Sequence, residues 1–546
     1  MLQTEQSALS THSPAFQNHS STSRRDLGHS APQQPGPARP IRAELTAALL
    51  RRCLTLVIAI LMFAPVASVA QKQTHKPRPR PAAPSGEGKN IAHKRLPRDP
   101  VVAQVMKEIS AARIEQTINK LVSFHTRSTL SVNNPGAATS DKGIAAARNW
   151  IKSELERYSA DCGGCLEVKT DTYIEQPRDS RDRIKQPTEI ENVYAVLRGK
   201  DPQQQKRIYL VTGHYDSRNT DPQNSTDRAP GANDDGSGTA VSLECARVLS
   251  KHRFPATLIF LTVAGEEQGL RGSGHFSKMA RAEGWKLEGV LNNDIVGGNR
   301  TPGDTQQNNN WVRIFSEGIP AVTTEAELRR IRATGAENDS PSRELARYIR
   351  EVSQTYSFGQ FTPKLIFRRD RFQRGGDHTA FNEQGFAAVR FTEYREDYNH
   401  QHQNVRTENG IEYGDLPKFV DFNYVANVAR LNAATLAALA SSPAPPAKVT
   451  ILTREQANDS KIEWDAAVGA DAYEVLWRRT TDAEFPEENV TRTTEPKVGL
   501  NQSKDNVVFA VRSVDAKGHR SLPVMPEPSV IGSPDAPAEP RPSEKK

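Results

Sequence analysis

Five short stretches of this 546-residue chain hold side chains that can grip a divalent cation or move a proton. In Gly213-His214-Tyr215-Asp216 the imidazole can ligate a metal through one ring nitrogen while the carboxylate accepts the N–H of the other, fixing the tautomer and raising ligand basicity. Residues 230–238 form a glycine-rich acidic loop around Asn233-Asp234-Asp235. Its glycines allow tight turns that aim a carboxylate into a cleft, and either aspartate alone would equally suit a helix N-terminus. Glu266-Glu267 places two carboxylates just past a buried apolar run, where desolvation is costly without a cation. Successive extended residues point in different directions, so one can bind metal while its neighbour faces a substrate. Asn292-Asn293-Asp294 and the late segment from Asp397 to His402, with His400 and His402, complete a set of nitrogen and oxygen donors suited to zinc. Each motif is common by itself; the ordered series is not.

These donors need a scaffold that brings them to one place. Apolar, β-rich runs at 208–212, 257–263, 287–295 and 387–392 read as buried strands, and each runs into one of the acidic or imidazole motifs or into Glu393. Helical periodicity covers 141–158, behind Thr139-Ser140-Asp141, and 238–252. Alternating helices and strands over 99–440 predict an α/β fold with a mostly parallel central sheet and helices on both faces, in which sites gather at the carboxyl ends of strands. After a linker at 441–447 the pattern changes to strands only, near 449–452, 461–464, 472–477 and 507–514, predicting a small all-β sandwich over 448–534 and a disordered tail at 535–546.

Over about 99–440 the sequence resembles the co-catalytic zinc aminopeptidases of metallopeptidase family 28, through His214-Tyr215-Asp216, the loop from Gly231 to Gly238, Glu266-Glu267, Asn293-Asp294 and a final histidine. The resemblance implies a zinc-peptidase-like fold and two Zn²⁺ ions bridged by Asp234. His214 and Asp294 would complete one site, Glu267 and His402 the other, with Glu266 as general base and Asp216 beside His214. His402 is preferred to His400 because Thr407 follows at the family's usual offset, with Val405-Arg406 where an acidic residue is common. Gly375-Gly376-Asp377-His378-Thr379 is similar to the family's substrate-side segment, placing Asp377 and His378 near the pocket. The implied substrates are the N-termini of peptides or proteins. A carboxypeptidase on the same metal core is the enzymatic alternative, with Arg368, Arg369, Arg371 and Arg374 as carboxylate binders. A non-catalytic receptor or adhesion protein on a peptidase fold is the other. The C-terminal strands, with Trp464 and Tyr473, resemble a fibronectin type III module whose partner the residues do not name.

The net charge of +7 owes much to basic runs at 72–80 and 95–98, which read as a solvated linker over 71–98 rather than a nucleic-acid surface. Residues 1–50 lack apolar periodicity and are expected to be disordered. Arg51-Arg52, the apolar run 54–64 and Ser68-Val69-Ala70 have the layout of a secretory signal peptide over 51–70, implying a secreted or periplasmic enzyme with no stable membrane span after cleavage; an uncleaved anchor is the alternative. Cys53 would leave with that segment. Cys162 and Cys165 would pair as a local disulfide in an oxidising compartment, and Cys245 reads as a buried hydrophobe.

Overall fold

The computed structural model describes residues 98–529 apart from 299, 301–302, 357–360 and 455–456. The expected leader at 51–70, its flanking segments and the terminal tail lie outside the described residues. No described helix is long and apolar enough to cross a membrane.

One eight-stranded sheet carries the larger part of the chain: β1 (Leu166–Glu175), β2 (Thr188–Leu197), β3 (Arg207–His214), β4 (Thr257–Val263), β5 (Lys286–Asn293), β6 (Trp311–Ser316), β7 (Thr362–Ile366) and β8 (Ala388–Glu393). Their order across the sheet is β1-β2-β4-β3-β5-β8-β6-β7. The central four, β4-β3-β5-β8, are mutually parallel. The flanks are not: β1 and β2 run antiparallel to each other, β2 to β4, and β6 to β8. The expected mostly parallel sheet is thus a parallel centre with antiparallel shoulders, and the four strands read from the sequence are that centre.

Both faces of the centre are buried, and the side chains alternate between them. Tyr209, Val211, Leu258, Phe260, Leu291 and Val389 point to one layer, made largely by the helices Gly236–Leu249 and Phe422–Ser441. Leu210, Ile259, Leu261, Val263, Val290 and Ala388 point to the other, against Phe276 and Ala280 of the helix Arg271–Ala282 and Phe381 of Asp377–Asn382. At about 1.5–3 kcal/mol for each fully buried large aliphatic or aromatic side chain, this two-sided burial is the main support of the strand ends that carry the polar motifs. Cys162 and Cys165 form a disulfide after the helix Gly143–Asp161, and Cys245 is free and buried.

The helix Phe422–Ser441 ends just before a second structure begins at the strand Ala447–Ile451. Here a four-stranded and a three-stranded sheet share a core of Val449, Ile462, Trp464, Tyr473, Val475, Phe509 and Val511. This module is fastened to the helix Pro341–Tyr356 by buried charge. Arg512 pairs with Glu351 at 2.7 Å and with Glu474 at 2.9 Å, Arg520 pairs with Glu474 at 2.8 Å, and Asp339 takes both Arg347 and Arg478. The Tyr348 hydroxyl donates to the Arg520 carbonyl, and His519 bridges Asp515 and Asp99, the N-cap of the first described helix. Against the upward push of burial, Arg512 and Arg520 hold the Glu474 carboxyl down to about 2.

Candidate metal centre

The strand order brings β3, β4 and β5 side by side, so the residues that follow them share one edge of the sheet. Close backbone contact sets their spacing. A Cβ on Gly213 would stand 2.4 Å from the carbonyl carbon of Gly238, and one on Gly238 would stand 2.1 Å from the carbonyl oxygen of Asn293. Glycine at both positions lets the start of the helix Gly236–Leu249 sit directly between the ends of β3 and β5.

That helix start separates the two aspartates that residue type alone leaves equivalent. Asp235 is the N-cap: its carboxylate accepts from the amides of Gly238 at 2.8 Å, His214 at 3.0 Å and Ile295 at 3.3 Å, tying the loop to both neighbouring strands. The Asp234–Asp235 peptide bond is cis. Asp234 points the other way, its amide donating to Asp415 at 2.7 Å. Its carboxylate meets two imidazoles, one per oxygen: Oδ1 is 3.1 Å from His214 Nε2 and Oδ2 is 2.9 Å from His402 Nε2.

Around this shared carboxylate two clusters form, His214 with Glu266 and Asp294, and His402 with Glu267 and Asp234. His214 Nε2 also lies 3.9 Å from Asp294 Oδ1, and His402 Nε2 lies 2.8 Å from Glu267 Oε1. His400, two residues before His402, is turned away, its ring stacked on Phe419 at 3.6 Å between centroids. Asp216 organises the near side. Its oxygens accept from the amides of Glu266 at 3.3 Å and Glu267 at 3.2 Å and from the Thr129 hydroxyl at 3.1 Å. Gly265, with φ of 75°, makes the turn after β4 that presents those two amides. His214 Nδ1 lies 3.2 Å from the main-chain carbonyl oxygen of Asp216, an acceptor only, and 3.4 Å from its Oδ1. The carbonyl rather than the expected carboxylate therefore accepts the ring N–H at Nδ1, and the Nε2 lone pair faces the other carboxylates.

A lone pair and several carboxylate oxygens facing one another in a buried space repel unless a cation lies among them, and mixed nitrogen and oxygen donors suit zinc. The residues therefore fit the metal that the motifs imply. Burial, reinforced by the charges of Glu267, Asp294 and Asp377, raises the Glu266 carboxyl well above the usual carboxylate range. Asp377, fully buried at the start of its short helix, is pushed up to about 7 by burial and by Asp294 and Asp216. His378 is also fully buried but bonds to the Arg369 carbonyl at 2.8 Å, and burial lowers it to about 4; it supports the segment from behind.

Several residues at the centre carry no motif of their own. Arg390 of β8, wholly buried, pairs with Asp294 at 2.8 Å and is balanced by Asp370. Gln401 donates to Asp234 Oδ2 at 3.0 Å, and Asp415 accepts from the Asn233 and Asp234 amides. Arg218 pairs with Glu267 at 2.9 Å and reaches His402 Nδ1 at 2.7 Å. Only Arg218, two residues past Asp216, and Gln401, between His400 and His402, had a sequence signal available in their positions.

Residues 192–421 match the family model described as peptidase family M28. A probable zinc metalloprotease of Pyrenophora teres f. teres is 44% identical over 442 residues, covering 79% of this chain and 88% of its own. One of Leptosphaeria maculans is 45% identical over 431 residues, covering 78% and 97%. Among solved structures, the Legionella pneumophila LapA aminopeptidase is similar at 22% identity and a TM-score of 0.43, over 64% of this chain and 76% of that one.

Proposed function

Given that this chain belongs to peptidase family M28 and is a zinc metallopeptidase, we propose that it is an aminopeptidase holding two zinc ions, one between His214, Asp234 and Asp294 and one between Asp234, Glu267 and His402. The observation that carries the two-ion reading is the Asp234 carboxylate, whose two oxygens face two different imidazoles at 3.1 and 2.9 Å. When bound, such a pair supplies Lewis acidity that polarises a carbonyl and makes water acidic near neutral pH.

The protein's own groups do the rest. Glu266 belongs to the His214 cluster and its backbone amide is held by Asp216, so its carboxylate can take a proton from water and return it to the departing amine. Its raised proton affinity suits that exchange, because a base works best when its pKa approaches the working pH. Asp216 holds the tautomer of His214 and spaces Glu266 from Glu267. The concentration of carboxylates, with Asp377 buried nearby, favours a substrate bringing a free α-ammonium group.

Three of the four arginines that would serve a carboxypeptidase are engaged in ion pairs, and Arg368 lies over the Phe372 ring. Arg371 and Arg374 both pair with Glu396, and Arg369 bonds the Thr379 carbonyl and Glu383. The Cys162–Cys165 disulfide favours an oxidising compartment and so a secreted enzyme. The seven strands of the C-terminal module, in sheets of four and three, favour a fibronectin type III-like unit.

The test is Glu266→Gln assayed on aminoacyl-coumarin substrates and on the same peptides N-acetylated. Wild type should cleave only the free-amine forms, and the variant should keep its zinc while losing turnover by at least about 10²-fold. Near-normal hydrolysis by the variant, or efficient cleavage of blocked peptides, would overturn the reading.

A further inference from the structure

The segment from His125 to Thr129 precedes all the strands of the large sheet, yet it touches three of the loops that carry metal-facing residues. It leaves the helix Ala111–Ser123 through His125, whose φ of 68° is strained for a residue with a side chain and persists only where the surroundings fix it. The His125 carbonyl accepts from the Ala229 amide at 2.9 Å, and Thr126 pairs with Ala229 as a parallel bridge.

Arg127 is buried and directs its guanidinium at main-chain carbonyls. Nε donates to Tyr215 at 2.7 Å, Nη1 to Pro230 at 2.6 Å and Nη2 to Gly231 at 2.8 Å. One side chain thus ties the stretch after β3, with His214 and Asp216, to the loop that carries Asp234. No carboxylate bonds it among the described residues; its charge is answered at longer range by Asp415, Asp216, Asp235 and Asp234. Thr129 joins the third loop. Its hydroxyl donates to Asp216 Oδ2 at 3.1 Å and accepts from the Gly265 amide at 3.1 Å, at the turn that presents Glu266 and Glu267. Ser128, between the two, is equally buried, but its hydroxyl bonds to nothing among the described residues.

Converging carboxylates repel one another until a cation lies among them, so loops free to move would splay. Arg127 and Thr129 oppose that from behind, one with a buried positive charge and both with hydrogen bonds to the loops. Resting on the residue set proposed above, we propose that the segment 125–129 is a clasp of the metal centre, with Arg127 and Thr129 as positioning residues that preset the three loops for zinc.

Competition of the zinc-loaded full chain with a chromophoric chelator, with no activity readout, tests this beside the melting temperature of the zinc-stripped chain. Thr129→Val keeps the shape of the side chain but loses the hydroxyl, and zinc affinity should fall about 10- to 100-fold with little change in melting of the stripped chain. Thr129→Ser, which restores the hydroxyl, and Ser128→Ala should both hold zinc as wild type does. Arg127→Lys keeps the charge but not the planar fork, and should loosen zinc in the same range; if it fails to fold, Thr129→Val decides alone. Wild-type affinity in Thr129→Val, or equal loosening by Thr129→Ser or Ser128→Ala, overturns the clasp, provided Asp234→Asn loses its zinc. Wild-type zinc affinity in Asp234→Asn overturns the residue set and the clasp with it.

Discussion

Gly238 touches Asn293 backbone to backbone, with no room for a Cβ between the helix start and the end of β5. The contact sets how far Asp234 stands from Asp294. Gly238→Ala is therefore expected to act on the site through the scaffold: overpacking of this kind costs about 1–3 kcal/mol, and the wedge would spread two of the strand ends. Thermal melting together with zinc content after gel filtration checks it, and both should fall.

Asp216 accepts three hydrogen bonds and stands behind His214. Asp216→Asn keeps the shape but turns an amide N–H toward a donor. Zinc affinity is expected to drop about 10- to 100-fold, with turnover falling alongside, while far-ultraviolet circular dichroism stays native. Competition with a chelator measures the first effect.

The parts of this arrangement that the sequence announced are those with a local signature. The central strands are continuous apolar runs because both their faces are covered, and such runs stand out. The outermost strands do not: β1 alternates buried and exposed residues and includes Glu167, Lys169 and Asp171, and β7 is five residues long with a proline. The donors after each strand were legible as a series. Which aspartate of the pair 234–235 caps the helix and which faces the imidazoles depends on backbone direction at one turn, and residue type carries no information on that. Arg390, Asp370 and Asp415 come from distant points of the chain, and only tertiary folding brings their charges to the centre.

His519 gives stability a basic limb. Burial would lower its pKa, but hydrogen bonds and charge from Asp515 and Asp99 push it up to about 9 from an ordinary 6.5. A raised pKa means stabilisation that is complete below about 6.5 and lost as pH rises through about 9, worth at most about 3 kcal/mol. Urea unfolding of wild type and His519→Gln should differ most near pH 6 and converge above pH 9.

Glu474 lies between Arg512 and Arg520, all three buried. Glu474→Ala would remove the carboxylate that two buried guanidinium groups share, at a cost of about 3–5 kcal/mol. Denaturant midpoints should shift accordingly, and the loss should exceed that from a change at exposed Lys448, whose pair with Asp465 is open to water.

The ionic layer joining the helix Pro341–Tyr356 to the C-terminal module also governs how the enzyme would meet a surface. A binding unit on a slack tether raises the local concentration of its target over a wide sphere, whatever its orientation. Fixed in place by Arg478 and Arg512 and by the Tyr348 hydroxyl on the Arg520 carbonyl, this module has one bearing relative to the metal centre. Anything it grips is therefore delivered at a set angle and reach, and chain ends that fall outside that arc gain nothing from the attachment.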